Sequence, residues 1–146
     1  MSILDKIIKH SVVTSLEAHE SFCAILIGIA AVDGKISEEE ITDFMSTFNK
    51  SKTLAHLNKS QFSSMINNII DINKHQGTAK LLEMGIKALP EHLRKSTFIN
   101  ACDLIYSDGR VVKEELNALI MLRDALNLDE VEAAQISEII QEKNNL

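Results

Sequence analysis

The chain has 146 residues, a formal net charge of −6 and 45% hydrophobic residues, so it is long enough to bury the core of one domain. No part is strongly basic, which argues against nucleic-acid binding. The longest apolar run, residues 22–32, is too short for the ~20 residues that cross a bilayer, and no charged leader precedes a cleavable apolar block. We therefore expect a cytoplasmic protein without direct membrane insertion.

The composition favours helices over strands. Aromatic residues make up only 4% of the chain, and it has one proline and five glycines, whereas strands usually enrich aromatic residues between frequent turns. The two cysteines, Cys23 and Cys102, both lie in apolar runs. This placement predicts buried free thiols in a reducing compartment.

Hydrophobic spacing predicts four helices in the first part of the chain. Residues 3–10 are amphipathic and are expected to pack on the protein's own core, because their polar face is poorly basic for a membrane surface. Residues 16–33 are apolar nearly all round, which predicts a buried central helix. Residues 38–49 form the third helix, and a polar link at 50–59 contains one helical turn. Ser60 opens the fourth, which ends at Gly77 and has its apolar stripe at Phe62, Met65, Ile66, Ile69 and Ile70.

The second part of the chain continues in helices. Thr78 is expected to cap a helix that Pro90 ends, and the proline can open the next one, since proline is tolerated in a first turn. Asp129 and Glu132 predict a capping box at the start of a last helix. The apolar residues at helical spacing in these helices are Leu81, Leu82, Ile86 and Leu89, then Phe98, Ala101, Cys102 and Ile105, then Leu116, Leu119 and Ile120, and finally Ile136, Ile139 and Ile140.

One stretch occurs twice. Residues 31–41 return as residues 106–116, 75 positions later, with Asp, Gly, a long cation, a β-branched residue, two adjacent Glu and a closing aliphatic in the same places. In each copy a helix leads into a tight acidic turn and another helix follows. This repeat predicts a single all-α domain of about seven or eight helices, with pseudo-symmetric halves at about 16–75 and 76–140.

Local chemistry explains both turns. Gly34 and Gly109 stand where a helix ends and where a left-handed residue is favoured. Ser37 followed by Glu40 predicts a capping box. The acidic string also matches the second half of an EF-hand loop, but the first and third ligand places fall on side chains that cannot bind a hard cation, so neither turn is a working EF-hand. These places are occupied by Ile29 and Ala31 in the first copy and by Leu104 and Tyr106 in the second.

The repeated residues resemble the tellurite-resistance protein B (TerB) family and its TerB-like domains over most of the chain, about residues 22–140. In that family an alanine-rich helix runs into an Asp-Gly turn, and the next helix has Glu near its start. The departures are Val32 and Ser107, where alanine is common, and Val112 in place of a capping serine. The matching residues are Ala30, Ala31, Asp33, Gly34, Ile36, Glu39, Glu40 and Ile41, then Ala101, Cys102, Asp108, Gly109, Val111, Glu114, Glu115 and Leu116.

The resemblance implies a non-enzymatic cytoplasmic protein of tellurite, metal or chemical stress resistance. It further implies a TerC-like membrane protein or a TerD-like protein as partner, association with the membrane only through such a partner, and a divalent metal ion held by the acidic turns. Carried over by position, the candidate metal ligands are Asp33, Glu39, Glu40, Asp108, Glu114 and Glu115.

Two alternatives stand beside metal binding. The acidic residues can serve only as caps and turn formers, or they can form a charged face that docks a partner without metal. If the two turns meet, four carboxylates would share one site. Like charges ~4 Å apart repel by about 4 kcal/mol at an effective dielectric near 20, so such a cluster needs either a cation or raised pKa values. Turns that lie far apart need none.

Two other kinds of site have weaker signals. His19 and Cys23 are four residues apart on one helical face, but two ligands do not complete a tetrahedral metal site, so the plain interpretation is a polar histidine and a core cysteine. Paired carboxylates could in principle act as acid and base. The sequence contains no nucleophile elbow, phosphate loop, HExxH or CxxC pair, so no enzyme is expected.

Overall fold

The computed structural model describes residues 16–34, 36–107 and 109–146. These residues form seven α-helices and one 3-10 turn and contain no strand, which confirms the predicted all-α class. The predicted helix at residues 3–10 lies outside the described part. The helices are α1 (Ala18–Ala30), α2 (Glu38–Ser46), α3 (Lys59–Gln76), α4 (Thr78–Ala88), α5 (Arg94–Tyr106), α6 (Lys113–Ala125) and α7 (Glu130–Lys143), with the 3-10 turn at Glu91–Leu93.

Helix α1 is the centre of the core. Its residues from Ser21 to Ile29 are all buried, and it packs against α2, α3, α4, α5 and α6. A helix that is apolar nearly all round can be stable in water only when neighbours cover it on most sides. The sequence prediction of a buried central helix is therefore confirmed, and its polar Ser21 is accommodated because the hydroxyl donates to the Ala18 carbonyl at 2.7 Å.

Helix α5 is the second hub and packs against α1, α6 and α7. The buried Tyr106 hydroxyl and the Ser137 hydroxyl of α7 are 2.9 Å apart and share a hydrogen bond. At the other contact with α7, the Asp103 carboxylate accepts from Lys143 Nζ at 2.9 Å and from Asn144 Nδ2 at 3.1 Å. Polar contacts thus join the last turn of α5 to the middle and to the C-terminal end of α7.

Several helix ends differ from the sequence prediction. Helix α2 stops at Ser46 instead of residue 49, where the Ser46 and Thr47 hydroxyls donate back to carbonyls of the preceding turn at 2.6 and 2.7 Å. Helix α3 begins one residue before Ser60, because Asn58 caps it in a box with Gln61. Thr78 is the first residue of α4 and not its cap, and its hydroxyl donates to Asn73.

Three apolar residues on the predicted helical stripes do not face the core. Leu116 and Ile120 of α6 are 40% and 50% exposed, and Ile139 of α7 is 63% exposed. These two helices lie at the edge of the described bundle, so their neighbours cover only part of each stripe. The Asp129 box is also only half present, because Asp129 accepts from the Glu132 amide while the Glu132 carboxylate pairs with Lys95.

Candidate functional site

The first acidic turn is a capped reversal between α1 and α2. Gly34 has φ +71°, and its amide donates to the Ala31 carbonyl at 3.0 Å. The Ser37 hydroxyl accepts from the Glu40 amide at 3.1 Å, and the Glu40 carboxylate accepts from the Ser37 amide at 3.3 Å. Two backbone amides at the start of α2, those of Ser37 and Glu40, are satisfied in this way, so Glu40 has a local structural role.

The other acids of this turn are in different environments. Glu38 pairs with Lys74 at the end of α3 at 2.5 Å, and the hydrogen bond and charge of Glu38 raise the pKa of Lys74. Glu39 is exposed, and Asp33 is half-buried beside the glycine. The acidic turn therefore has one capping carboxylate, one that joins two helices, and one that faces solvent.

The second turn repeats this geometry without a side-chain cap. Gly109 has φ +73°, and the Glu115 carboxylate accepts from the Val112 amide at 3.2 Å. The valine side chain has no hydrogen-bond acceptor, so the Glu115 amide donates to the Val112 carbonyl at 3.1 Å instead. Glu114 is exposed and Glu115 is half-buried, whereas Asp108 lies outside the described residues.

The two turns lie near opposite ends of α6. Val32 of the first turn lines a surface cavity of about 720 Å³ together with Met121 and Ala125. The second turn leads directly into Lys113, and eight residues of helix from there to Met121 span about 12 Å. Among described residues, no group of three metal-ligating atoms includes a carboxylate of either turn.

A different group of ligand-type side chains lies at the start of α1. Atoms of Glu17, His19 and Glu20 come within 4.8 Å of one another, and His19 Nε2 is 3.5 Å from the Glu17 carboxylate. The ring of His56 stands edge-on to His19 with a centroid distance of 5.2 Å. Sequence reasoning missed this group because His56 is 37 positions away. The sequence contained one local signal: Glu17 at the N-cap and Glu20 at the third helical position are spaced as a capping box, and His19 lies between them.

The cysteines have no part in this group. Cys23 is fully buried, and burial raises the pKa of its thiol far above the ordinary value. Burial also raises the pKa of Cys102 to about 12. Both free thiols are therefore core groups, which agrees with the interpretation from sequence.

An apolar groove runs between α5, α6 and α7. It has a volume of about 310 Å³, and the exposed Leu116 and Ile120 stand beside the buried Phe98 and Leu119. Its polar border includes Arg123, whose guanidinium donates to Asp124 at 2.9 Å. Leu116 and Ile120, which were predicted to face the core, therefore line this groove instead.

None of the described helices has both the length and the hydropathy that crossing a bilayer requires. What the described residues define is an all-helical protein in which a central helix and a second hub each end in an acidic, glycine-bearing turn.

A comparison with protein families identifies this class. The family model described as "Tellurite resistance protein TerB" matches residues 19–138, so the chain belongs to the TerB family. The resemblance predicted from the two turns is confirmed. The chain has no match among the curated proteins or among the solved structures compared with it.

Proposed function

We propose that this chain is a non-enzymatic protein of tellurite, metal or chemical stress resistance that docks a partner protein through two acidic helix starts. The acidic helix starts are Glu38 and Glu39 of α2 and Glu114 of α6. The partner is a protein with a basic surface, in the first place a TerC-like membrane protein or a TerD-like protein. No nucleic acid takes part, and membrane association would come only through the partner.

The observation that supports this proposal is that the two adjacent glutamates of each turn have different environments. In each turn the third helical residue, Glu40 or Glu115, accepts a hydrogen bond from a backbone amide, so one oxygen of its carboxylate is used at the start of the helix. The residue before it, Glu39 or Glu114, is exposed. Exposed carboxylates speed the encounter with a basic surface and help select it, while rim charges add little to the final affinity.

The test is a binding measurement in the presence of a chelator, with the purified TerD-like protein or the soluble part of the TerC-like protein as probe. The variant Glu39→Lys/Glu114→Lys reverses both exposed charges, and we expect slower association and a loss of salt dependence. The matched control is Glu138→Lys/Glu142→Lys, which changes the net charge equally on α7, where both residues are exposed. Equal binding by the two variants would rule out docking through the helix starts.

A second candidate function is divalent metal binding by the acidic turns themselves. It is favoured by the matched geometry of the two bends, whose glycines have φ +71° and +73° before a Glu pair. Asp33, Glu39 and Glu40, or Asp108, Glu114 and Glu115, would then share an ion such as Ca²⁺ or Mg²⁺ with water. So few protein oxygens predict weak binding, since Ca²⁺ takes 6–8 oxygen ligands.

Titration calorimetry with Ca²⁺, Mg²⁺ and Mn²⁺ tests this candidate. Binding should weaken in Glu39→Gln/Glu114→Gln and persist in Glu138→Gln/Glu142→Gln. The weakest natural calcium sites fill at about 1 mM. If the protein at that metal concentration shows no binding heat and no shift of its melting temperature, the candidate is refuted.

A further inference from the structure

We propose that the start of α1 and the loop before α3 form a binding site for a divalent transition-metal ion of the Zn²⁺ class. Its ligands are the imidazoles of His19 and His56 and the carboxylates of Glu17 and Glu20. This site is separate from the acidic turns, and it goes beyond the partner docking proposed above.

Two segments of backbone place the four residues. Glu17 is the residue before α1, and its amide donates to the Glu20 carboxylate at 3.1 Å, so the two acidic residues stay on one side of the first helical turn. His56 lies in a loop anchored by the fully buried Leu54, and the Ala55 amide donates to the Ser51 carbonyl at 2.8 Å. The start of α1 and this loop therefore bring the four side chains near one another.

The distances fit a tetrahedral ion. Zinc lies about 2.0–2.1 Å from imidazole nitrogen, and two imidazoles on one tetrahedral zinc have ring centroids about 5 Å apart. The centroids of His19 and His56 are 5.2 Å apart. The ligand atoms of Glu17, His19 and Glu20 lie within 4.8 Å of one another, so small side-chain rotations bring them onto a common ion.

A histidine pair with an edge-to-face contact is also stable without metal, since such ring pairs are favourable at this distance. The two carboxylates beside the pair belong to the capping box of α1, in which the Glu20 carboxylate accepts from the Glu17 amide. A carboxylate has two oxygens with several lone pairs, so each can keep its backbone contact and still offer an oxygen to a cation. The side chain of His19 is 20% exposed and that of Glu17 is 76% exposed, so an ion can enter from solvent while the histidine is held by its neighbours.

The donor set selects the ion. Imidazole nitrogen suits Zn²⁺, Cu²⁺ and Ni²⁺, whereas Ca²⁺ and Mg²⁺ prefer oxygen ligands alone. Two nitrogens with two carboxylate oxygens can fill the four positions of a tetrahedral zinc ion. The site should therefore bind Zn²⁺ in the presence of excess Mg²⁺.

The experiment is a Zn²⁺ titration of the full chain by calorimetry in a buffer that contains Mg²⁺ at about 1 mM, the concentration at which the weakest natural calcium sites fill. His56→Gln and Glu17→Gln change exposed residues, so they should fold normally, and His19→Gln changes the half-buried ligand. Each should weaken Zn²⁺ binding at least about tenfold, the smallest loss that changing even a supporting residue of a metal site causes. The control His92→Gln changes an exposed histidine of the 3-10 turn and should bind as the unchanged chain does.

A second readout does not depend on any variant. In the unchanged protein, Zn²⁺ should shift the amide NMR signals of residues 17–20 and 55–57 before all others and raise the melting temperature. Equal affinity in His56→Gln and His92→Gln, or signal shifts confined to the acidic turns, would overturn the proposal. Partner docking is measured with chelator, so failure of one proposal leaves the other intact.

Discussion

Gly28 of α1 lies directly against the side chain of Leu82 of α4, and a Cβ on Gly28 would be 2.6 Å from Leu82 Cδ2 and 2.8 Å from Cγ. The contact is mirrored by Gly85 of α4, where a Cβ would be 2.9 Å from Ile25 Cγ1. One glycine on each helix thus receives a branched side chain from the other. This exchange lets the central helix and α4 approach closely along the core.

Replacing Gly28 by alanine should destabilise the fold. Leu82 is buried, so its branched end has no open space to enter, and overpacking of a core typically costs about 1–3 kcal/mol. Alanine has a higher helix propensity than glycine, which offsets up to about 1 kcal/mol of this loss in unfolding free energy. We expect a net loss, measured as a lower urea midpoint without a change in slope.

A double-mutant cycle provides the control for this contact. Leu82→Ala alone should cost about 2–5 kcal/mol because it leaves a cavity. In that background the added methyl of Gly28→Ala has room, so the second change should cost less or even stabilise. Simple additivity of the two losses would show that the close contact does not limit position 28.

The turn glycines should respond to backbone conformation alone. Among the described residues other than the chain neighbours, no heavy atom lies within 4 Å of a Cβ built on Gly34 or Gly109, so alanine meets no steric clash with them. Their positive φ should still cost about 1–2 kcal/mol for alanine at each site. Asparagine visits this conformation more readily, so Gly34→Asn and Gly109→Asn should lose less in thermal unfolding. Alanine variants as stable as the unchanged chain would contradict this account.

The unequal caps of the two turns allow a transfer experiment. Ser37→Ala should cost about 1 kcal/mol, because it removes the acceptor of the Glu40 amide. Val112 occupies the same place before α6 with φ −95° and ψ 158°, close to the −80° and 161° of Ser37. Val112→Ser should therefore gain a cap that the natural residue lacks and raise the unfolding free energy by up to about 1 kcal/mol.

The control for the transfer is Val112→Ala, which removes the same apolar methyl groups without adding an acceptor. Val112→Ser should be more stable than Val112→Ala by the value of the cap, as measured by urea unfolding. If the two variants unfold at the same urea midpoint, a side-chain cap at position 112 does not stabilise the protein.

Local signals in the sequence were sufficient for most of the fold. The stripe from Phe62 to Ile70 and the apolar run after Ser21 predicted α3 and α1, because period and length distinguish helices that neighbours must cover. The Ser37 box was also readable, since its partners are three residues apart. Helix ends were less predictable, because the hydroxyls of Ser46 and Thr47 compete with the helix through contacts that spacing does not reveal.

Features that depend on tertiary contacts could not be read in this way. A helical stripe shows that Leu116 and Ile120 can face a core, but only the packed bundle shows that the described neighbours leave them exposed. The same limit applies to the candidate metal site. His19 could be related to Cys23 by helical spacing, whereas its contact with His56 arises from the loop that folds back over α1.

The cysteines should be unreactive in the folded protein. Cys102 has its pKa raised to about 12, so at pH 8 only about one thiol in ten thousand is ionised, and burial restricts access further. Cys23 should react more slowly still, because burial raises its thiol pKa further than that of Cys102. Labelling with Ellman's reagent should therefore release almost no colour from native protein and two equivalents in urea. Rapid labelling of either thiol before unfolding would place that thiol outside the core.

The contact of Asp103 with the end of α7 should make stability depend on pH. Burial alone would raise the pKa of Asp103, but hydrogen bonds from Lys143 and Asn144 and the charge of Lys143 outweigh it, so the pKa lies below the ordinary value of 3.8. A depressed folded pKa means that the contribution is present above 3.8 and is lost as the pH falls through the folded value. Asp103→Asn should therefore destabilise the protein at pH 7 by less than about 1 kcal/mol, since the pair is partly exposed. This difference should shrink as the pH falls below 3.8.

Urea unfolding of both proteins from pH 7 down to about pH 2, where the unfolded carboxyl is protonated, measures this effect. Glu142→Gln removes an exposed charge from the same helix end and should show a smaller difference at every pH. Lys143→Met should reproduce much of the Asp103→Asn behaviour, because it removes the cation whose hydrogen bond and charge lower the pKa of Asp103. A constant difference between Asp103→Asn and the unchanged chain across this range would mean that the carboxylate contributes through its shape and not through its charge.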